Sequence, residues 1–197
     1  HARVGASKVL VTARALEAIG SARVEPLQLN LVSRDAVRLV STCDVAFGCM
    51  DSAEGRHVLN RLCAAFLIPY IDMGVRLDAN GLGGVSQVCA AVNYVQPDGA
   101  GLLERGVFTL AQVEADALRR RNPVAYAERL KEGYLRGVRE DRPAVISVNA
   151  LAAALAINEL LARLHPFRLD PNSQFARTTL SVTAGILQAE PEAWAGN

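Results

Sequence analysis

The stretch Cys43-Asp44-Val45-Ala46-Phe47-Gly48-Cys49-Met50-Asp51-Ser52 decides how this chain is read. An apolar run with its polar residues at the far end predicts a buried parallel strand over Val45–Met50 that delivers a carboxylate to a sheet edge. In open α/β sheets, ligands sit at that edge. A helical pattern starts at once behind it, over Ala53–Phe66, with Val58, Leu59, Leu62, Cys63 and Phe66 on one side. Asp51 therefore lies at a strand-to-helix turn, and the functional question is what it holds.

On the N-terminal side, Ser7 is a fair N-cap, and Val9, Leu10, Ala13, Leu16 and Ile19 make a helical stripe ended by Gly20. Val24–Leu31 alternates like a strand, and Asp35–Val40 reads as a short helix. On the C-terminal side, Ile68–Met73 is the next strand, entered through Pro69. Helix and strand at this spacing predict a run of right-handed βαβ crossovers.

The pattern then changes. Gly74–Leu77 and Val85–Gln96 both look extended, joined by residues 78–84. The cluster Gly81-Leu82-Gly83-Gly84 invites comparison with a phosphate loop. A phosphate loop must open a helix, whose N–H groups face the anion, and here a second strand follows. A hairpin is the better reading, so the sheet turns antiparallel. Leu110–Tyr134 is charged and helical in two pieces, broken before Pro123. The run Arg119-Arg120-Arg121 within it reads as a solvated helix face rather than a phosphate contact. Val145–Leu164 is a long helix, apolar nearly all round, and such a helix is central in its domain or buried in a dimer. Phe175–Leu187 reads as a last strand, with a loose tail over 190–197. The fold class expected is α/β: a Rossmann-like, mainly parallel sheet with helices on both faces, continuing into antiparallel strands on the C-terminal side. Residues 1–197 read as one domain.

A chain of 197 residues can bury a sizeable core. A formal charge of +1 gives no global pull toward nucleic acid or an anionic membrane, and 5% aromatic residues argues against a base-stacking surface. The four cysteines, Cys43, Cys49, Cys63 and Cys89, form no C-x2-C pair, so a zinc site built from such pairs is not expected. All four lie in apolar segments and read as reduced core thiols. With no signal peptide in view, a cytoplasmic setting follows. The longest apolar stretch, Val145–Leu161, contains Ser147, Asn149, Asn158 and Glu159, which suits a buried helix better than a membrane span. The first residue is His1 and the first pattern is a helix, so the chain reads as starting in the middle of a fold.

With these elements placed, the residues resemble a family. Gly5-x-x-Lys8 opens the first helix. Asp44-Val-Ala-Phe-Gly-Cys49-Met-Asp51-Ser-x-x-x-Arg56-x-x-x-Asn60-Arg61-Leu62 follows, then Ile68-Pro69-Tyr70-Ile71-Asp72-Met73-Gly74, then Ser147-Val148-Asn149 leading an Ala-rich helix. This order is similar to the ThiF/MoeB/HesA family, the adenylating fold shared with ubiquitin-activating enzymes, over roughly residues 5 to 165. The resemblance implies ATP-dependent activation of a C-terminal carboxylate, carried by a ubiquitin-like or sulfur-carrier protein. The carboxylate attacks the α-phosphate of ATP, and acyl-adenylate and pyrophosphate result. By the same resemblance Lys8 sits on the phosphates, Asp51 holds the magnesium–ATP unit, and Ser52 lies beside them. The cofactors implied are ATP and Mg2+, and a homodimer is implied as the assembly.

General chemistry agrees with those roles. Phosphoryl transfer is mostly positioning and charge neutralisation. Lysine is a point charge that can track a shifting phosphate. Mg2+ takes one or two carboxylates alongside phosphate oxygens and water. Arg56 and Asn60 share a helical face at i, i+4 and read as structural, fixing the strand–helix turn or a subunit contact. The chain also departs from the family. The glycine-rich nucleotide loop and the ribose-binding acid would fall before His1, so this stretch alone is expected to bind ATP poorly. Ser52 stands where the family often carries Asn. Gly101-Leu102-Leu103-Glu104 stands where many members place a zinc-binding C-x-x-C, and no zinc is expected. Residues 100–145 hold no cysteine, so no thioester step is expected and the reaction stops at the adenylate. Two other readings compete. One is a non-catalytic dimeric scaffold that docks a partner's tail. The other is a nicotinamide-dependent oxidoreductase, which lacks a proton-transfer histidine in a convincing place, since His57 and His165 read as surface or structural.

Overall fold

A computed structural model describes residues 5–20, 22–79, 85–132 and 145–192. The chain forms two compact units, His1–Leu39 and Val40–Asn197. In the first, α1 spans Lys8–Ile19, and the Gly20 N–H closes its last turn on Leu16 O at 3.1 Å. Of the apolar stripe on α1, Ala13 is buried and Leu10, Leu16 and Ile19 are exposed. The helix α2, Arg34–Val40, starts behind Ser33, whose hydroxyl accepts the Ala36 N–H at 3.3 Å.

The strand expected over Val24–Leu31 does not form. Residues 22–30 run as coil, and Asn30 turns the chain by accepting the Val32 N–H on its side chain and the Ser33 N–H on its carbonyl. Alternation is only a propensity, and a strand exists by pairing. These residues pair with no strand among the described residues, and Pro26 offers no N–H to a ladder.

The second unit is built on a five-stranded sheet in the order β1-β2-β3-β4-β5. These strands are β1 Ala46–Gly48, β2 Tyr70–Ala79, β3 Val85–Val95, β4 Arg177–Ser181 and β5 Ile186–Glu190. β1 and β2 are parallel, with Gly48 opposite Asp72, and the remaining neighbours are antiparallel. The α/β class and the switch to antiparallel pairing stand. The sheet is mixed rather than mainly parallel among the described residues, because the coil over 22–30 leaves a single βαβ unit. The Gly81–Gly84 cluster lies outside the described residues, but the strands on either side pair antiparallel, as a hairpin requires. The expected last strand over Phe175–Leu187 is instead two strands. Residues 182–185 turn the chain between them, and Gly185 takes a left-handed φ of 67° that suits glycine.

Alternation along β2 gives the sheet two unlike faces. Ile71 and Val92 face one side and pack against Ala156, with Phe47, Met73, Tyr94, Leu155 and Leu160 around them. Ala90 continues that side, against Val148 and Ala152. All three helical residues belong to α6, Ile146–Leu164. Tyr70, Asp72 and Gly74 face the other side, where α3, Ala53–Ala65, lays Arg56 across Gly74. α6 is long and apolar enough to cross a membrane by length and composition alone. Here it buries a stripe of small residues against the sheet and leaves Leu151, Ile157, Leu161 and Leu164 exposed. Within the single chain it is thus one-sided: Ala at 152, 156 and 162 lets the helix approach closely, and Leu155 and Leu160 pack beside them.

α3 is followed by a left-handed Leu67, and the Ile68 N–H returns to Cys63 O at 2.8 Å. The expected two-piece helix is α4, Leu110–Arg121, and α5, Pro123–Lys131, each with an N-cap side-chain bond. The arginine run is used internally. Arg120 pairs with Glu54, Arg121 bonds Ala117 O, and Arg119 lies over the Tyr126 ring. Of the four cysteines only Cys63 is buried, while Cys89 is intermediate and Cys43 and Cys49 are exposed. The expectation of four core thiols fails for the latter two because each lies just outside β1, where the chain leaves the sheet.

Candidate functional site

β1 ends at Gly48, and the chain reaches α3 through Cys49, Met50, Asp51 and Ser52. Asp51 is exposed in this turn. The N-cap of α3 is Ser52, whose hydroxyl accepts the Gly55 N–H at 3.1 Å. Asp51 is thereby not the cap. Asp51 and Ser52 lie together at the carboxyl end of β1, as the strand-to-helix reading requires. Lys8 is exposed at the first position of α1 and belongs to the other unit.

The turn is braced from below. Arg56 sends Nε to Met50 O at 3.1 Å and Nη2 to Met73 O at 3.2 Å, tying the end of β1 to β2 through the first turns of α3. Its Nε also lies 3.5 Å from Asp72 Oδ1. Asp72 is fully buried, taking the Tyr70 hydroxyl at 3.0 Å and the Asn93 amide at 3.3 Å. Burial pushes the Asp72 carboxyl above its ordinary pKa, opposed by Arg56 and by the hydrogen bonds from Tyr70 and Asn93. Burial, and then the neighbouring Asp72, push the Tyr70 hydroxyl far up. Two glycines make room for this cluster. A Cβ on Gly48 would strike the Tyr70 hydroxyl, and a Cβ on Gly74 would lie 2.5 Å from Arg56 Nη2.

Asn60, one turn beyond Arg56, accepts the Leu102 N–H at 2.6 Å and so holds residues 101–104 against α3. The segment standing in place of a C-x-x-C pair is thus a docked turn with Leu102 fully buried. Arg56 and Asn60 are structural, as expected. His57 packs edge-on against Phe108 at 5.9 Å, and His165 is the C-cap of α6. Cys49 lies 3.8 Å from Met73 Sδ, and partial burial followed by the charge of Asp72 raises its thiol pKa. A thiol held protonated in this way is a poor nucleophile.

The donor set suits magnesium nucleotide better than a protein-bound metal. Among the described residues no group of three or more His, Cys, Asp or Glu is placed to hold a metal ion. An exposed carboxylate such as Asp51 matches what Mg2+ takes when phosphate oxygens and water supply its other ligands. Asp72 does not, because both its oxygens are engaged within the sheet. Sequence reading missed Asp116 on α4, which accepts the Ala53 N–H at 2.6 Å across a separation of 63 residues. No local pattern marks such a contact.

The chain belongs to the ThiF family, which it matches over residues 1–186. Its fold is similar to that of E. coli MccB solved with ATP, at a TM-score of 0.64 and 16% identity, covering 98% of this chain and 49% of that one. E. coli MccB solved with AMPCPP and selenomethionine MccA matches at a TM-score of 0.64 and 15% identity, covering 98% of this chain and 50% of that one. At such identities the likeness is one of fold. The chain spans about half the length of these MccB chains. No curated protein matches it in sequence.

Proposed function

We propose that this chain is part of an enzyme that adenylates the carboxyl terminus of a peptide or small protein, using ATP and Mg2+ and stopping at the acyl-adenylate. A ubiquitin-like or sulfur-carrier tail is the substrate class favoured here. The observation that carries the proposal is an exposed Asp51, at the carboxyl end of a parallel strand and on a turn braced by Arg56 and Ser52, in a ThiF-family chain. MccB, solved with ATP and with AMPCPP and MccA, supports a nucleotide and a second partner on this fold.

In this reading Asp51 would hold the magnesium–nucleotide unit, with Mg2+ supplying charge neutralisation at the phosphates. Ser52 uses its oxygen lone pair on Gly55, which leaves its O–H to donate to the nucleotide. By the family resemblance alone, Lys8 would supply a positive charge to the phosphates. The substrate carboxylate oxygen forms a bond to the α-phosphorus, the bond from that phosphorus to the bridging oxygen breaks, and pyrophosphate leaves. The exposed aliphatic side of α6 supports a homodimer as the working assembly. Pyrophosphate exchange by the full-length protein with candidate tails tests the proposal. Absence of exchange with every tail, and with ATP and Mg2+ in excess, would overturn it in favour of a scaffold that docks a tail without chemistry.

A further inference from the structure

The first helical N–H groups of α3 are all taken by side chains. Asp116 Oδ2, reaching over from α4, accepts Ala53 N–H at 2.6 Å and Glu54 N–H at 3.4 Å. Ser52 Oγ accepts the Gly55 N–H. One turn beyond Asp116, Arg120 grips the Glu54 carboxylate with two bonds, Nε at 3.0 Å and Nη2 at 2.8 Å. Two consecutive turns of α4 therefore clamp the first residues of α3. A helix N-terminus with bare N–H groups attracts phosphate. This one, directly behind Asp51, is already closed by a carboxylate, which the helix dipole also favours.

We propose that Asp116 is a positioning residue for the nucleotide site. It pins Ala53 and Glu54 so that the Asp51–Ser52 turn presents its carboxylate in one geometry. It also occupies the helix terminus, so that phosphate would be directed to Asp51 rather than to the backbone. The inference rests on the role of Asp51 given above. Its chemistry makes a sharp demand. A single oxygen of Asp116 takes both N–H groups, so an asparagine carbonyl can replace it, whereas alanine cannot.

The test compares Asp116→Ala and Asp116→Asn in the full-length protein, by amide hydrogen exchange at Ala53 and Glu54 and by pyrophosphate exchange against magnesium-ATP concentration. The alanine variant should lose protection at both amides by about tenfold, of the order of one lost hydrogen bond. Its KM for magnesium-ATP should rise by a similar factor, and the asparagine variant should restore both. Unchanged amide protection in the alanine variant would overturn the proposal, as would lost protection with an unchanged KM. So would a fall in activity and melting temperature that asparagine does not rescue, since that is general destabilisation. If the wild-type protein shows no pyrophosphate exchange with any tail, the adenylation reading falls, while amide exchange still decides whether Asp116 pins the turn.

Discussion

Asp51 and Asp72 sit at neighbouring strands and lead opposite lives. Asp51 follows β1 and is exposed in the turn into α3. Asp72 lies on β2 opposite Gly48, the last residue of β1, and is fully buried among Tyr70, Asn93 and Arg56. The two carboxylates share one brace, since Arg56 bonds the backbone just before Asp51 and approaches the side chain of Asp72. The difference shows how one residue type divides its labour. The buried acid fixes the strands and the arginine, and the exposed one lies at the surface of the turn.

The comparison breaks most visibly on stability. Asp72→Ala leaves Arg56, the Tyr70 hydroxyl and the Asn93 amide without their common acceptor. Denaturant unfolding should then show a loss of about 3–5 kcal/mol, the range for removing one partner of a buried ion pair. A loss below about 1 kcal/mol would mean that water replaces the carboxylate without strain. Next in size, Gly74→Ala places a Cβ 2.5 Å from Arg56 Nη2. Overpacking of this kind costs about 1–3 kcal/mol, and Arg56 must shift from Met73 O. Unfolding measurements on this variant, alone and combined with Arg56→Ala, should give less than additive losses; simple additivity would deny the contact.

The pH response is smaller and has a defined sign. Burial raises the Asp72 pKa, so the folded protein holds that proton more tightly than the unfolded chain does. The stability this group contributes is full below the ordinary carboxylate pKa of about 4 and falls as pH rises through the raised value. Asp72→Asn removes the titration. The melting temperature of Asp72→Asn, taken relative to wild type, should therefore climb as pH rises from about 4. A difference independent of pH would show that Arg56 and the hydrogen bonds cancel the desolvation. The smallest effect belongs to the other acid. Asp51→Ala should cost no more than about 1 kcal/mol, as for an exposed polar contact, and a loss as large as that at Asp72 would make Asp51 a structural residue.

Much of this region was legible in the sequence. Strand and helix patterns placed Asp51 at their junction because both periods are local, and the order of Lys8, Asp51, Arg56 and Asn60 carried the family resemblance. Asp72 stood in the quoted motif without a role, because its partners Arg56 and Asn93 come from separate elements. Asp116 was invisible for the same reason. The coil over 22–30 shows the reverse failure, an alternating pattern with no strand to pair with among the described residues. At residues 182–185 the turn signal, Gly185, outweighs the β-branched residues around it. The exposed Cys43 and Cys49 illustrate that an apolar segment is not a buried one at its ends.

In the proposed reaction Asp51 serves magnesium nucleotide during adenylation. Pyrophosphate exchange by the full-length protein, comparing wild type with Asp51→Ala at matched melting temperature, tests it most directly. A tenfold or greater fall in rate is expected, of the order seen when a group stabilising transition-state charge is lost. Exchange at the wild-type rate in the Asp51→Ala protein would contradict it.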